Sequence, residues 1–538
     1  MSAAATIPAT RPVERRAVNP WVLAVSVSIA TFMEVLDTTV ANVALRYIAG
    51  GLAAAENDSE WVITSYLAAN AAVLLLSGWL SEYFGRRTYY LASVFIFTAS
   101  SAACGFATSL EQLILFRILQ GIGGGGLQPC TQAVLVDAFP AEKQGAAQTV
   151  FAVTALLAPV LGPTLGGYLA DHYSWRWIFL INVPTGLLAF GLNYVFLHDP
   201  DYLKAQRAKL RSTPLRFDFV GLGLIVLAMA CLEVLLSKGQ EWDWLGDPFW
   251  RVHLLAGALA VGLAGLVAWE SWHPAPILNL GPLKERNFLA SGVIGYVTFA
   301  ILYASMTLLP GMMQTLFGYN AVWSGLVMSP SGLFQIPTMA VVAVLLGKKV
   351  DGRWIIVAGA LLMAAGSYWY STYNLSVSPG QLVWPRVVQQ MGSACLFAPL
   401  SVAAFMYLPK EWRGAASGLF AALRNEGGSA GTSLGKTLVQ RRLPLHTERL
   451  AEGLNPFNAP FNEAAESLQA GFYAVTGDPE TSTTMALNAI DKLRMQQSLA
   501  LSYLDAFWIF AVLALALIPM TLLMKRSVAE EGVSLGTD

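Results

Sequence analysis

Charge is scarce in this chain of 538 residues: Asp, Glu, Lys and Arg make up 12 % of it, where a water-soluble domain carries about a quarter. A solvated globular enzyme cannot be built from that composition. The net charge of −1 says nothing useful about partners by itself, and no nucleic-acid partner is expected. Cysteine is nearly absent as well. Cys104, Cys130, Cys231 and Cys395 all fall inside apolar segments, which excludes a disulfide framework. The five histidines lie in loops or at segment ends, without the spacing that metal ligation needs, so no metal is expected. With no nucleophile–base pair or metal cluster in view, the chain does not read as an enzyme.

What is present is apolar length. Hydrophobic residues are 55 % of the chain, and the charges cluster between runs of about twenty apolar residues, enough to cross a hydrocarbon core of roughly 30 Å. We read fourteen spans, at 21–45, 61–80, 89–107, 112–135, 147–168, 175–197, 217–237, 251–271, 288–309, 322–346, 353–371, 382–407, 415–437 and 501–524. The first twenty residues are a basic tail and not a cleaved signal, because no compact apolar region with a small-residue cleavage site follows. Arg86, Arg87, Lys348, Lys349, Lys525 and Arg526 all fall on the side of the termini, whereas the loops around 310–321 and 372–381 hold no Lys or Arg. The positive-inside rule therefore makes both termini cytoplasmic.

A shift of 269 residues superposes Arg117, Gln120 and Gly123 on Arg386, Gln389 and Gly392, and Gly162 and Gly166 on Gly431 and Gly435. Two six-helix bundles, 21–197 and 288–524, are expected, with an insert of two helices at 217–271. A basic linker at 198–216 precedes the insert and lies on the membrane surface, in contact with its lipids. Residues 438–500 form a small, partly helical element on the outer face, and 525–538 a second cytoplasmic tail. Transporters with such repeated halves bind substrate between them near the bilayer midplane.

Span 1 reads TFMEVLDTTVANVALR over 31–46. Each carboxylate at a helix centre costs about 2.5–3.5 kcal/mol, so Glu34 and Asp37 need a use. Three residues apart, they project from nearly one face and, as a pair in a low-dielectric site, suit a proton that comes and goes. Arg117 in span 4 is the natural partner of an ionised Asp37 or Glu34. Its repeat mate Arg386, beside Pro385, is expected to snorkel. Glu426 and Asn425 in span 13, with Asn42 and Glu34, are placed on a substrate cavity, whereas Glu233 is expected to snorkel outward. The loop GWLSEYFGRR suggests a gate at the cytoplasmic side, with Gly78 and Gly85 for the turn, Glu82 pairing Arg86, and Arg87 beside it. The run QGIGGGGLQP reads as close helix packing loosened by Pro129, since no strand precedes it to make a phosphate loop. APVLGPTLGG carries Pro159, Gly162, Pro163, Gly166 and Gly167, a kinked small-residue face suited to a sliding contact between halves or, equally, to static packing alone.

LDTTVANVAL, GWLSEYFGRR, LFRILQGIGGG, APVLGPTLGG and FLINVPTG together resemble the major facilitator superfamily, and in particular its fourteen-span EmrB/QacA-type drug:proton antiporters. That resemblance implies an all-α polytopic fold and export of lipophilic, often cationic compounds driven by the proton gradient with no cofactor. It also implies residence in a bacterial inner membrane, a periplasmic adaptor (membrane fusion) protein and an outer-membrane channel. Asp37 takes the coupling role in it, Arg117 the proton-relay role, and the glycines of span 5 the antiporter motif. Arg46 stands where the family usually has proline, and Glu82 where it usually has aspartate. Export of an endogenous metabolite, such as a siderophore or antibiotic, is the alternative cargo; a non-transporting receptor or scaffold is the alternative class.

Overall fold

The computed structural model describes residues 19–139, 141–199, 218–273, 277–409 and 412–526, together with all side chains discussed below. The expected linker from 200 onward and both tails beyond 18 and 526 lie outside the described residues, as do the side chains of Pro159 and Pro163. Among the described residues the structure is helical. The first half comprises α1 (Pro20–Gly51), α2 (Trp61–Phe84), α3 (Arg86–Gly105), α4 (Leu110–Gly124), α5 (Leu127–Ala138), α6 (Ala141–His172) and α7 (Asn182–Phe196). An inserted hairpin follows, α8 (Phe219–Lys238) and α9 (Arg251–Trp272). The second half is α10 (Arg286–Leu316), α11 (Ala321–Met328), α12 (Pro330–Gly347), α13 (Gly352–Ser371), α14 (Pro379–Phe405), α15 (Arg413–Ala451), α16 (Ala459–Thr476) and α17 (Pro479–Leu522). Among the described residues ten helical stretches are long and apolar enough to cross a membrane.

Local chemistry sets several boundaries. Gly85, at φ +90°, ends α2 and starts α3 in a conformation that costs a side chain dearly. Ser109, Asp478 and Asp218 cap helix starts by accepting backbone N–H groups three residues on. The fourth expected span divides at Gly125 and Gly126 into α4 and α5, just before Pro129, which has no N–H to bond the Gly125 carbonyl and so loosens the helix there as expected. Those glycines let backbones touch: a Cβ on Gly121 would lie 2.5 Å from the Tyr66 carbonyl oxygen, and one on Gly123 2.5 Å from the Phe97 nitrogen. Close packing is their use.

Within the first half α1 packs on α6 and α4 on α2 and α3; within the second, α10 packs on α15 and α13 on α14 and α17. The halves meet where α2 touches α15 and where α6 touches α11 and α12. The glycine face of α6 is not at that seam. Gly162 faces Thr39 and Gly166 faces Val40, both on α1 of the same half, and it is Thr164 that meets Gly325 of the other half. The expected sliding contact is therefore a tight intra-half contact beside Asp37. The 438–500 region is helical: α15 at 39 residues and α17 at 44 continue into it, far past the ~20 residues a bilayer needs. α16 packs against α17 and buries none of its residues.

Candidate functional site

Asp37, 2 % exposed, sits on α1 in a closed set of donors. Its Oδ2 accepts from Arg117 Nη1 at 2.5 Å, and its Oδ1 accepts from Gln120 Nε2 at 2.9 Å and from Asn182 Nδ2 at 2.6 Å. Arg117 and Gln120 are one helical turn apart on α4 and also bond each other, Nη1 to Oε1, at 2.9 Å. Arg117 Nε donates to the Val62 carbonyl at 3.0 Å, and its guanidinium lies 4.2 Å from the centre of the Tyr66 ring. Asn182 reaches back to Ser101 Oγ at 3.1 Å. A buried charge is tolerable only when paired and hydrogen-bonded, and this one has a cation and two amides.

Glu34, one turn earlier, does not share that set. Its Oε1 accepts from Asn70 at 3.1 Å and Gln128 at 3.4 Å, while Oε2 is buried with no hydrogen-bond donor. Gln128 is also on the wall of a narrow cavity between the halves, lined by Val35, Phe151, Phe299, Tyr303, Met306, Phe397, Arg424 and Asn425. Glu34 thus stands behind the cavity wall, one hydrogen bond from it.

The other expected cavity residues divide. Asn425 lines it, but Glu426 turns away, toward Glu233. Asn42 is exposed and donates to the Thr38 carbonyl at 3.0 Å, away from the lining. Arg424 is instead the cation on the wall, its guanidinium 5.3–5.5 Å from the ring centres of Phe299, Phe397 and Phe420. Two snorkelling expectations fail. Arg386 is fully buried, bonded through Nη1 to Gln389 Oε1 at 2.7 Å, and Glu233 is 3 % exposed and accepts from Ser429 at 2.7 Å. In both cases neighbouring helices cover the residue before its chain end reaches a surface.

At the turn around Gly85, Arg86 binds the carboxylate of Asp137 on α5 and the Ala133 carbonyl at 3.3 Å. The Arg87 backbone donates to Asp199 at 2.7 Å and its Nη2 to the Tyr194 carbonyl at 2.7 Å. Glu82 and Gly78 lie half-buried at the end of α2. Asp137 was not singled out in the sequence, since an acid at the end of an apolar run looks like an ordinary interfacial charge. Asn70, Asn182 and Gln128 were likewise missed. The one available signal for Asn182 was its place in FLINVPTG.

Residues 27–435 match the family model described as Major Facilitator Superfamily. The chain belongs to the major facilitator superfamily. Curated members similar to this one include the probable multidrug resistance protein EmrY of Escherichia coli (strain K12), 34 % identical over 94 % of each chain. The multidrug export protein EmrB of Haemophilus influenzae is 37 % identical over 81 % of this chain and 84 % of its own. The fatty acid resistance protein FarB of Neisseria gonorrhoeae is 34 % identical over 94 % of this chain and 96 % of its own. Among solved facilitator structures, the peptide transporter POT in complex with sulfate superposes with a TM-score of 0.56 at 16 % identity, covering 93 % of this chain and 95 % of that one. At that identity it speaks for the fold alone.

Proposed function

We propose that this facilitator is a proton-coupled exporter of lipophilic compounds, working by alternating access from a bacterial inner membrane with both termini cytoplasmic. The observation that carries the reading is Asp37, a buried acid held by Arg117, Gln120 and Asn182 from α4 and α7. Ionised, it ties three helices of one half together. A proton on Asp37 removes the charge-assisted bond to Arg117 and weakens that tie, so proton occupancy biases which arrangement of the halves is favoured. Each proton moving inward supplies about 2.3 kcal/mol per 100 mV, and no cofactor is needed. The names of the similar EmrY and EmrB proteins support export of several drugs. The long outward helices α15 and α17, with α16 on their flank, are where a periplasmic adaptor leading to an outer-membrane channel would dock.

Cargo follows from the cavity walls. Aromatic rings suit lipophilic bodies, and Glu34, reached through Gln128, suits cationic ones. A second reading is favoured by Arg424, which offers a guanidinium to lipophilic acids on the same wall, and the name of the similar FarB protein fits it. Inverted membrane vesicles energised with a proton gradient and given a lipophilic cation and a lipophilic carboxylic acid test both. Glu34→Gln is expected to reduce uptake of the cation most, and Arg424→Ala that of the acid. Uptake that continues after a protonophore collapses the gradient would contradict proton coupling.

A further inference from the structure

Glu233 and Glu426 are buried acids that the Asp37 site does not use. Glu233 is on α8 of the inserted hairpin and Glu426 on α15 of the second half; they are 3 % and 7 % exposed. α8 packs on α15, and the two acids face each other across that contact. Ser429, one turn along from Glu426, donates to Glu233 Oε2 at 2.7 Å. Both oxygens of Glu426 are buried and receive no donor from any described residue. Two carboxyl groups make a hydrogen bond only through a proton. Without it, two like charges stand in contact in apolar surroundings with one hydroxyl to serve them.

Among the described residues the surroundings supply no alternative counter-charge. Tyr296 of α10 is the ionisable side chain that faces both acids. Charged groups on the helices packed around them are engaged elsewhere. Glu60, before α2, binds Lys238 and Lys436; Glu82 is at the far end of α2; Arg251 of α9 binds Asp247; Asp505 of α17 binds His446 and Arg442. Glu270 lies at the end of α9 beside Asp218, Asp137 of α5 binds Arg86, and Arg424 is turned to its three phenylalanines.

We propose that Glu233 and Glu426 hold one exchangeable proton between them, a second proton-binding site through which the inserted hairpin takes part in transport. The proton site stands on its own geometry; its part in transport rests on the export reading. α8 is fixed to the first half as well, by Ser237 against Thr64 and by Lys238 against Glu60 at 3.2 Å. It therefore bridges α2 and α15, the helices that meet across the seam. With the shared proton in place α8 stays tied to α15. Release of that proton to water leaves two carboxylates that repel, and loosens the bridge as the halves move.

Infrared difference spectra of the full chain in lipid, recorded between acidic and alkaline media, read the protonated carboxyl directly. A carboxylic-acid C=O band is expected in wild type and is lost in Glu233→Gln, in Glu426→Gln and, to no greater extent, in the double variant. A band unchanged by either substitution overturns the site. Ser429→Ala keeps both acids and is expected to shift that band, which covers the case of a Gln variant that does not assemble. Reversal-potential measurements in proteoliposomes then test the coupling. Each Gln variant is expected to move one proton fewer per substrate than wild type, whereas Asp37→Asn abolishes coupling. Unchanged stoichiometry in both Gln variants beside an uncoupled Asp37→Asn overturns the hairpin's role and leaves the export reading standing. A wild type that moves no protons with substrate overturns the export reading, and the infrared band still decides the pair.

Discussion

The two halves carry the same arginine–glutamine couple and use it differently. Arg117 and Arg386 each donate Nη1 to the glutamine three residues on, at 2.9 and 2.7 Å, and each is fully buried. In the first half the couple closes on Asp37, with Asn182 as a further donor. In the second half Gln389 closes on the hydroxyls of Ser305 and Ser367, and Arg386 Nε and Nη2 find no hydrogen-bond partner among the described residues. Met306 stands at the repeat position of Asp37 and Tyr303 at that of Glu34. One copy of the scaffold therefore holds a buried ion pair and the other a buried cation braced by neutral polar groups alone.

The comparison breaks most severely at the arginines. Arg117→Gln leaves Asp37 buried without its cation, which costs about 3–5 kcal/mol; a clear drop in the thermal unfolding midpoint in detergent is the check. The glycines that seat the repeat helices come next. A Cβ on Gly431 would lie 2.1 Å from the Ala300 carbonyl oxygen and 2.3 Å from its Cα, all backbone, whereas one on Gly162 meets Thr39 Oγ1 at 2.1 Å and Thr39 Cβ at 2.7 Å, of which only the hydroxyl can rotate aside. Gly431→Ala is expected to cost about 1–3 kcal/mol, and Gly162→Ala less, read on the same unfolding curves. Arg386→Gln removes a buried charge that has no acid against it, so its midpoint is expected unchanged or raised. A loss as large as that of Arg117→Gln would show that the halves are braced alike.

The smallest effect belongs to the hairpin, which is part of neither half. In the loop between α8 and α9 the Arg251 guanidinium beside Asp247 holds its carboxyl well below the usual carboxylate range. A depressed carboxyl adds stability above its unfolded value, and that stability is lost as the pH falls through the folded one. Asp247→Asn is thus expected to lower stability slightly at neutral pH and to converge on wild type as the pH falls, which flattens the acid limb of stability against pH.

Legibility in the sequence followed cost. Asp37 and Arg117 could be paired from residues 80 positions apart because each is too expensive in an apolar run to stand alone. Asn70, Gln128 and Asn182 could not be found that way, since a neutral amide costs little and its use depends on which helix lies opposite. Glu233 and Arg386 were misplaced for a related reason. Counting residues to the end of an apolar run says how far a side chain is from water, but not that Ser429 or Gln389 is nearer. The full lengths of α15 and α17 were equally hidden, because hydropathy marks where a membrane ends and not where a helix does.

The central claim is that Asp37 couples proton binding to transport. Substrate-induced proton movement in proteoliposomes, wild type against Asp37→Asn, tests it most directly. The account predicts that Asp37→Asn still binds substrate but moves no protons with it. Proton movement equal to wild type in that variant would contradict it.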